Sequence, residues 1–164
     1  MKKSYFIIIR GPLGCGKSTV AEKLSKVINA KHIFIDKILD EHNLINNKEE
    51  GFISQKSFIK ANKIIIPKVK DYLLDGKPVV FDGNFYWKSQ IEDLIKRLDF
   101  PNYIFTLKSP LKVCIQRNKQ RKKVYSEEAV KVVYKKSTEF KYGTTIDITK
   151  PLNQCVKKII SYLP

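Results

Sequence analysis

The 164-residue chain has the length of one domain, and its 43% hydrophobic and 29% charged residues place it among ordinary globular sequences rather than disordered ones. No apolar run approaches the ~20 residues of a membrane span, and the run Tyr5–Ile9 is too short for the ~7–15-residue apolar core of a signal peptide, so a cytoplasmic chain without membrane attachment is expected. The net charge of +16 favours anionic partners, although lysine spread along the whole chain is also what a coding bias would produce.

Strand-like and helix-like segments alternate from the start. Tyr5–Ile9 is a continuous apolar, β-branched run of the kind that is buried on both faces in a parallel sheet. A helix is predicted from Lys17, where Val20, Leu24, Val27 and Ile28 share one face. His32–Ile35 reads as a second strand ending at Asp36, and the polar stretch 43–50 reads as a loop. The segment 57–74 reads as helical, with Pro67 expected to kink or break it and Gly76 to stop it. Pro78–Phe81 is a third strand, ending at Asp82, and Ile91, Leu94, Ile95 and Leu98 make the next helical stripe. Tyr103–Leu107 is a fourth strand, and Pro110 opens the helix after it. Ser126, followed by Glu127 and Glu128, is an N-cap signal. Thr144–Ile148 is a fifth strand, and Leu152, Cys155, Val156, Ile159, Ile160 and Leu163 line the last helix. Five strands with interleaved helices predict a three-layer α/β domain covering residues 1–164.

Gly11-Pro12-Leu13-Gly14-Cys15-Gly16-Lys17-Ser18 fits G-x-x-x-x-G-K-[ST], between a predicted strand and a predicted helix. The glycines let successive backbone N–H groups turn inward onto phosphate oxygens, and the helix start adds partial positive charge. This stretch, with Thr19, is the expected nucleoside triphosphate site; Lys17 should reach the β- and γ-phosphates, and the Ser18 hydroxyl should bind Mg²⁺. Cys15 within the loop reads either as a small residue at a variable position or as a thiol activated by the helix start. Cys15, Cys114 and Cys155 have no metal-ligand spacing and are expected to be reduced; His32 and His42 form no cluster and read as structural.

Ligands bind beyond the carboxyl ends of strands in open α/β sheets, so Asp36 and Asp82 should face the phosphates. Phosphoryl transfer needs one group to accept the proton of the attacking hydroxyl and others to hold the metal. Asp36 is the candidate base, and Asp82 the candidate metal-linked carboxylate, acting through water; either could instead be a cap or turn residue. Five of the seven residues in 117–123 are basic. Their position after the fourth strand suits a mobile cationic lid, about 117–126, in which Arg117 and Arg121 stabilise charge on the transferring group; the lysines could instead meet a polyanionic substrate. Phe85-Tyr86-Trp87 reads equally as a stacking surface for a base or sugar and as core.

In their order, these residues resemble the small P-loop kinases related to nucleoside monophosphate kinases. The resemblance is closest to the branch with the kinase domain of polynucleotide kinase and chloramphenicol phosphotransferase. The matching features are Gly11–Ser18, Asp36, Asp82-Gly83-Asn84, Arg117 to Arg121, and Ile146-Asp147-Ile148-Thr149. The resemblance implies five parallel strands in the order 2-3-1-4-5, a small lid, ATP with Mg²⁺, and Asp36 as base toward a hydroxyl. Polynucleotide-kinase-like members often carry an arginine three residues after that aspartate, where this chain has Leu39, with Lys37 nearby.

Three functions follow as expectations. The first is an ATP-dependent kinase acting on a hydroxyl or phosphate of a small molecule, nucleotide or nucleoside. The second is a 5′-hydroxyl kinase of nucleic acid ends, suggested by charge. The third is a nucleotide-binding regulator without transferase activity. The acceptor stays open, and a monomer or small homo-oligomer is expected.

Overall fold

Runs such as Phe6-Ile7-Ile8-Ile9 and Val79-Val80-Phe81 are apolar at every position, which only a strand covered on both faces can bury. In the computed structural model, which describes residues 4–164, these runs lie at the centre of the sheet. The chain runs β1 (Phe6–Arg10), α1 (Lys17–Val27), β2 (Lys31–Phe34), α2 (Ile35–Glu41), β3 (Lys48–Glu49), β4 (Phe52–Ile53) and α3 (Gln55–Leu74). It continues through β5 (Val79–Asp82), α4 (Lys88–Leu98), β6 (Asn102–Lys108), α5 (Leu111–Lys119), α6 (Glu127–Ser137), β7 (Thr144–Asp147) and α7 (Leu152–Ile160).

Five strands form one parallel sheet in the order β2-β5-β1-β6-β7. Counting only these five in chain order, this is the expected 2-3-1-4-5. Alternation splits the core in two. Phe6, Ile8, Val79 and Phe81 face a layer with α3 and α4, while Ile7, Ile9 and Val80 face α1 and α7. The register sets Phe34 opposite Asp82 and Ile9 opposite Asp82 on the other side, so the ends of β2, β5 and β1 finish at one level beneath the loops. Among the described residues no helix is long and apolar enough to cross a membrane.

The structure corrects several boundaries. β2 stops at Phe34, and Asp36 stands in the first turn of α2 rather than at a strand end. α3 runs unbroken through Pro67. Phe58 and Ala61 before the proline, and Val69 and Leu73 after it, are all buried, and that packing offsets the ~3 kcal/mol cost of an interior proline. The segment 43–50, read as loop, ends in strand β3, which pairs with β4 as a two-stranded hairpin. Its turn residues Glu50 and Gly51 have φ of 53° and 82°, as the tight hairpin turn requires.

Phe85, Tyr86 and Trp87 are core, which decides between their two readings. Tyr86 packs on Phe52 and Phe58, and Trp87 Nε1 donates to the carbonyl oxygen of Ile53 at 2.7 Å. The aromatic run therefore anchors the β3–β4 hairpin instead of presenting a stacking face.

Candidate functional site

The loop between β1 and α1 takes its shape from backbone freedom. Gly14 has φ 82°, and a Cβ there would stand 2.5 Å from the carbonyl oxygen of Cys114. Gly16, at φ 94°, caps α1 without a side-chain bond, so the first N–H groups of the helix remain free for an anion. Lys17 is buried, and its Nζ donates to the carbonyl oxygen of Pro12 at 2.8 Å, which folds the ammonium back over the loop.

A cleft of ≈450 Å³ opens above this loop. It brings together six of the residues expected from sequence: Lys17, Ser18, Asp36, Asp82, Arg117 and Arg121. Leu13, Gly14, Gly16 and Thr19 also line it, whereas Gly11, Pro12 and Cys15 do not. Cys15 is fully buried, and desolvation pushes its thiol up against the opposing pull of Lys17, so the small-residue reading holds and the activated-thiol reading does not.

Asp82 is 1% exposed at the end of β5, and its Oδ2 lies 3.3 Å from His32 Nε2. Asp36 keeps its surface open to the cleft, while the cleft walls crowd it from the protein side. Its carboxyl is raised above the ordinary carboxylate range, chiefly by desolvation. Asp82 adds to the rise, and Lys17, Arg121 and Lys123 oppose it. A raised carboxylate is a stronger proton acceptor once ionised. Ser18 and Asp82 are hard oxygen donors beside the phosphate-binding loop. Among the described residues no cluster of three or more His, Cys, Asp or Glu could cage a metal. That donor set fits Mg²⁺, which keeps several waters and takes phosphate oxygens as ligands.

The two arginines are held differently. Arg117 lies within α5, so the segment expected as lid begins inside a helix. Its Nη1 donates to the carbonyl oxygen of Cys15 at 2.7 Å and its Nη2 to that of Ile148 at 3.3 Å. Arg121 follows the helix, with its guanidinium 5.4 Å from the centre of the Tyr125 ring, which Lys123 also approaches. Asn118 closes the base of this loop. Its Nδ2 donates to the Tyr125 carbonyl oxygen at 2.7 Å, and its Oδ1 accepts from the Tyr125 N–H at 3.1 Å.

Sequence reasoning missed Phe34, Asn84 and the far wall made by Ile148, Lys150 and Leu152, and also His32, which stands behind Asp82 without lining the cleft. Asn84 and Ile148 sit inside motifs already noted; for His32 the only signal was its place on the strand that pairs with the one ending in Asp82. Leu39, at the position where related kinases carry arginine, is fully buried, and Lys37 points outward to Glu41 at 3.6 Å.

Residues 6–140 match a family described as the AAA domain. An adenylate kinase from Rickettsia africae is 31% identical over 112 residues, covering 57% of this chain; the chain spans only half the length of that relative. A cytidylate kinase from Saccharolobus islandicus is 27% identical, covering 96% of this chain and 89% of its own. Among solved structures, a gluconokinase from Sinorhizobium meliloti superposes with a TM-score of 0.73 at 16% identity, over 98% of this chain and 92% of its own. A sugar kinase from Janibacter sp. gives 0.75 at 12% identity, over 98% and 94%. At such identities the two structures establish the shared fold.

Proposed function

Because the chain belongs to the AAA domain family and is a small P-loop kinase, we propose that it transfers the γ-phosphate of ATP, bound with Mg²⁺, to a hydroxyl group of a small molecule, with Asp36 as the base. The observation that carries this reading is the placement of Asp36 in the same cleft as Lys17, Ser18 and Asp82.

The loop N–H groups and the start of α1 cradle the triphosphate, and Lys17 leaves Pro12 to meet its terminal oxygens. Ser18 and Asp82 would hold Mg²⁺, which would supply charge neutralisation on the triphosphate. Asp36 orients the acceptor hydroxyl and takes its proton. Arg121 brings positive charge over the transferring group and excludes water when the loop closes.

The curated relatives act on nucleotides by name, the structural neighbours on sugar-type molecules. The candidate base favours the hydroxyl acceptor. A phosphate acceptor is already an anion; it needs cations and no base. Asp36 lines the cleft with Phe34, Asp82 and Asn84, and Lys17, Arg121 and Lys123 act on its carboxylate. With Asp82 given to Mg²⁺, Asp36 is the carboxylate left to accept a proton, which suits an acceptor hydroxyl. Buried Leu39 and outward Lys37 supply no phosphate contact at the position where polynucleotide-kinase-like members often carry arginine.

The test is incubation with ATP, Mg²⁺ and separate pools of neutral alcohols, aminated alcohols, nucleoside monophosphates and oligonucleotides, with products read by mass spectrometry. A phosphate ester on an alcohol is the expected outcome. Turnover confined to monophosphates would overturn the hydroxyl reading, and turnover confined to oligonucleotides would overturn the small-molecule reading.

A further inference from the structure

Arg10, the last residue of β1, is fully buried without a carboxylate partner. Its Nε donates to the Phe85 carbonyl oxygen at 3.2 Å, its Nη1 to Thr106 Oγ1 at 3.0 Å and its Nη2 to the Ser137 carbonyl oxygen at 2.9 Å. Every one of these acceptors is neutral, and they engage three of the five N–H groups of a guanidinium. Burial pushes Arg10 down to about 10, with Cys15 opposing, so it stays cationic at neutral pH. A buried charge without a counter-charge is costly unless an anion comes close.

Beside it lies a second cavity of ≈250 Å³, separate from the nucleotide cleft. Thr106, Ser137 and Phe140 line this cavity and also touch Arg10, the Phe140 ring lying 4.4 Å from the guanidinium carbon. Lys108 and Lys141 stand among its lining residues, which include no Asp or Glu. Ser137 is 1% exposed, and its hydroxyl has no hydrogen-bond partner in the protein. A cavity wall with an unpartnered buried hydroxyl, two lysines, a backing guanidinium and the rings of Phe140 and Tyr134 is built for an anion with an apolar body.

We propose that the cavity between β6, β7 and the C-terminal end of α6 binds a small organic anion, a carboxylate or phosphate group carried on a ring or short apolar chain. The anionic end meets Lys108 and Lys141, with Arg10 and the Ser137 hydroxyl buried behind the wall, and the apolar end lies on Phe140 and Tyr134. The small volume restricts the ligand to one ring or its equivalent. Pro12 also lines the cavity, and its carbonyl oxygen is the one that holds Lys17, so the ligand sits against the underside of the P-loop.

The experiment uses the full chain with its P-loop filled by Mg²⁺ and a non-hydrolysable ATP analogue, so that phosphate probes cannot bind there. Benzoate, phenyl phosphate, benzyl alcohol and inorganic phosphate are titrated separately, following backbone amide resonances by NMR. Benzoate or phenyl phosphate is expected to shift Ser137, Thr145 and Lys141, and whichever binds tighter names the anionic group. Benzyl alcohol should bind at least about tenfold more weakly, because it lacks the charge-assisted bonds. Lys108→Gln and Lys141→Gln, both at exposed positions that leave the fold intact, should each weaken binding by about 2–5-fold. Equal binding of benzyl alcohol, equal binding of inorganic phosphate, unchanged affinity in both variants, or shifts confined to other parts of the chain would each overturn the proposal.

Discussion

Arg117 Nη1 lies 2.7 Å from the carbonyl oxygen of Cys15, so a residue of α5 holds the P-loop from behind. With its second bond, to Ile148, the guanidinium ties three separate stretches of chain together at the cleft. The two arginines expected to share one role should therefore behave differently. Arg117→Ala should lower stability by about 2 kcal/mol, the loss of charge-assisted bonds to two carbonyls, and weaken nucleotide binding with it. Arg121→Ala should leave stability within about 0.5 kcal/mol and lower kcat by about 10²–10³-fold, because its role is confined to the closed state. Urea titration and steady-state kinetics on both variants would separate a clamp from a charge stabiliser.

Asp36→Asn should abolish measurable turnover while the protein remains folded and binds nucleotide. The pH dependence carries a sign that distinguishes this residue. Its folded-state pKa is raised, so between the unfolded and folded values the native chain holds more protons than the unfolded one. Stability must then fall as pH rises through that window. The asparagine variant lacks this loss. It should match the wild type at pH below the unfolded carboxyl value and exceed it at neutral pH. In the active enzyme, kcat/KM should rise with pH along a limb displaced above the ordinary value of about 4 for aspartate. Denaturation curves and pH–rate profiles on the same preparations would check both.

Asp82→Asn should raise the Mg²⁺ concentration needed for half-maximal rate by about 10–100-fold, as losing a group that orients metal-bound water does elsewhere. Chelation of Mg²⁺ should stop turnover and restore on readdition. Nucleotide binding measured without metal should be nearly unchanged in the variant, and a large loss there would mean that Asp82 serves the fold and not the metal.

Gly14→Ala should cost well over 1 kcal/mol and impair triphosphate binding. The new Cβ meets the Cys114 carbonyl at 2.5 Å, and backbone of α5 cannot retreat as a flexible side chain would. Thermal melting with and without nucleotide would register both effects.

The centre of the sheet was legible because β1 and β5 are apolar up to their last residue, a pattern that leaves them nowhere but the middle layer. Their order came through the family resemblance. The P-loop was legible for a different reason: its chemistry is backbone chemistry, and glycine spacing records backbone directly. What stayed hidden depends on contacts distant in sequence. Pro67 looked like a break because its local cost is visible and the packing of Phe58, Val69 and Leu73 is not. The hairpin turn Glu50-Gly51 lacks the usual asparagine or aspartate and is stabilised instead by Trp87 reaching Ile53. His32 became a site residue only because β2 pairs with β5, which sets its ring beside Asp82. Arg117 lines the cleft, but nothing local in 117–123 said that its hydrogen-bond acceptors would be the carbonyls of Cys15 and Ile148.

Asn118 and Tyr125 fasten the two ends of the lid segment to each other, one backbone carbonyl and one N–H held by a single amide side chain. That clasp separates the neck of the lid from its tip. Residues between them, Arg121 apart, can change without moving Arg117 or the start of α6, because both are fixed below the clasp. A change at the tip therefore reaches the cleft through Arg121 and Lys123, while the neck below the clasp keeps its geometry.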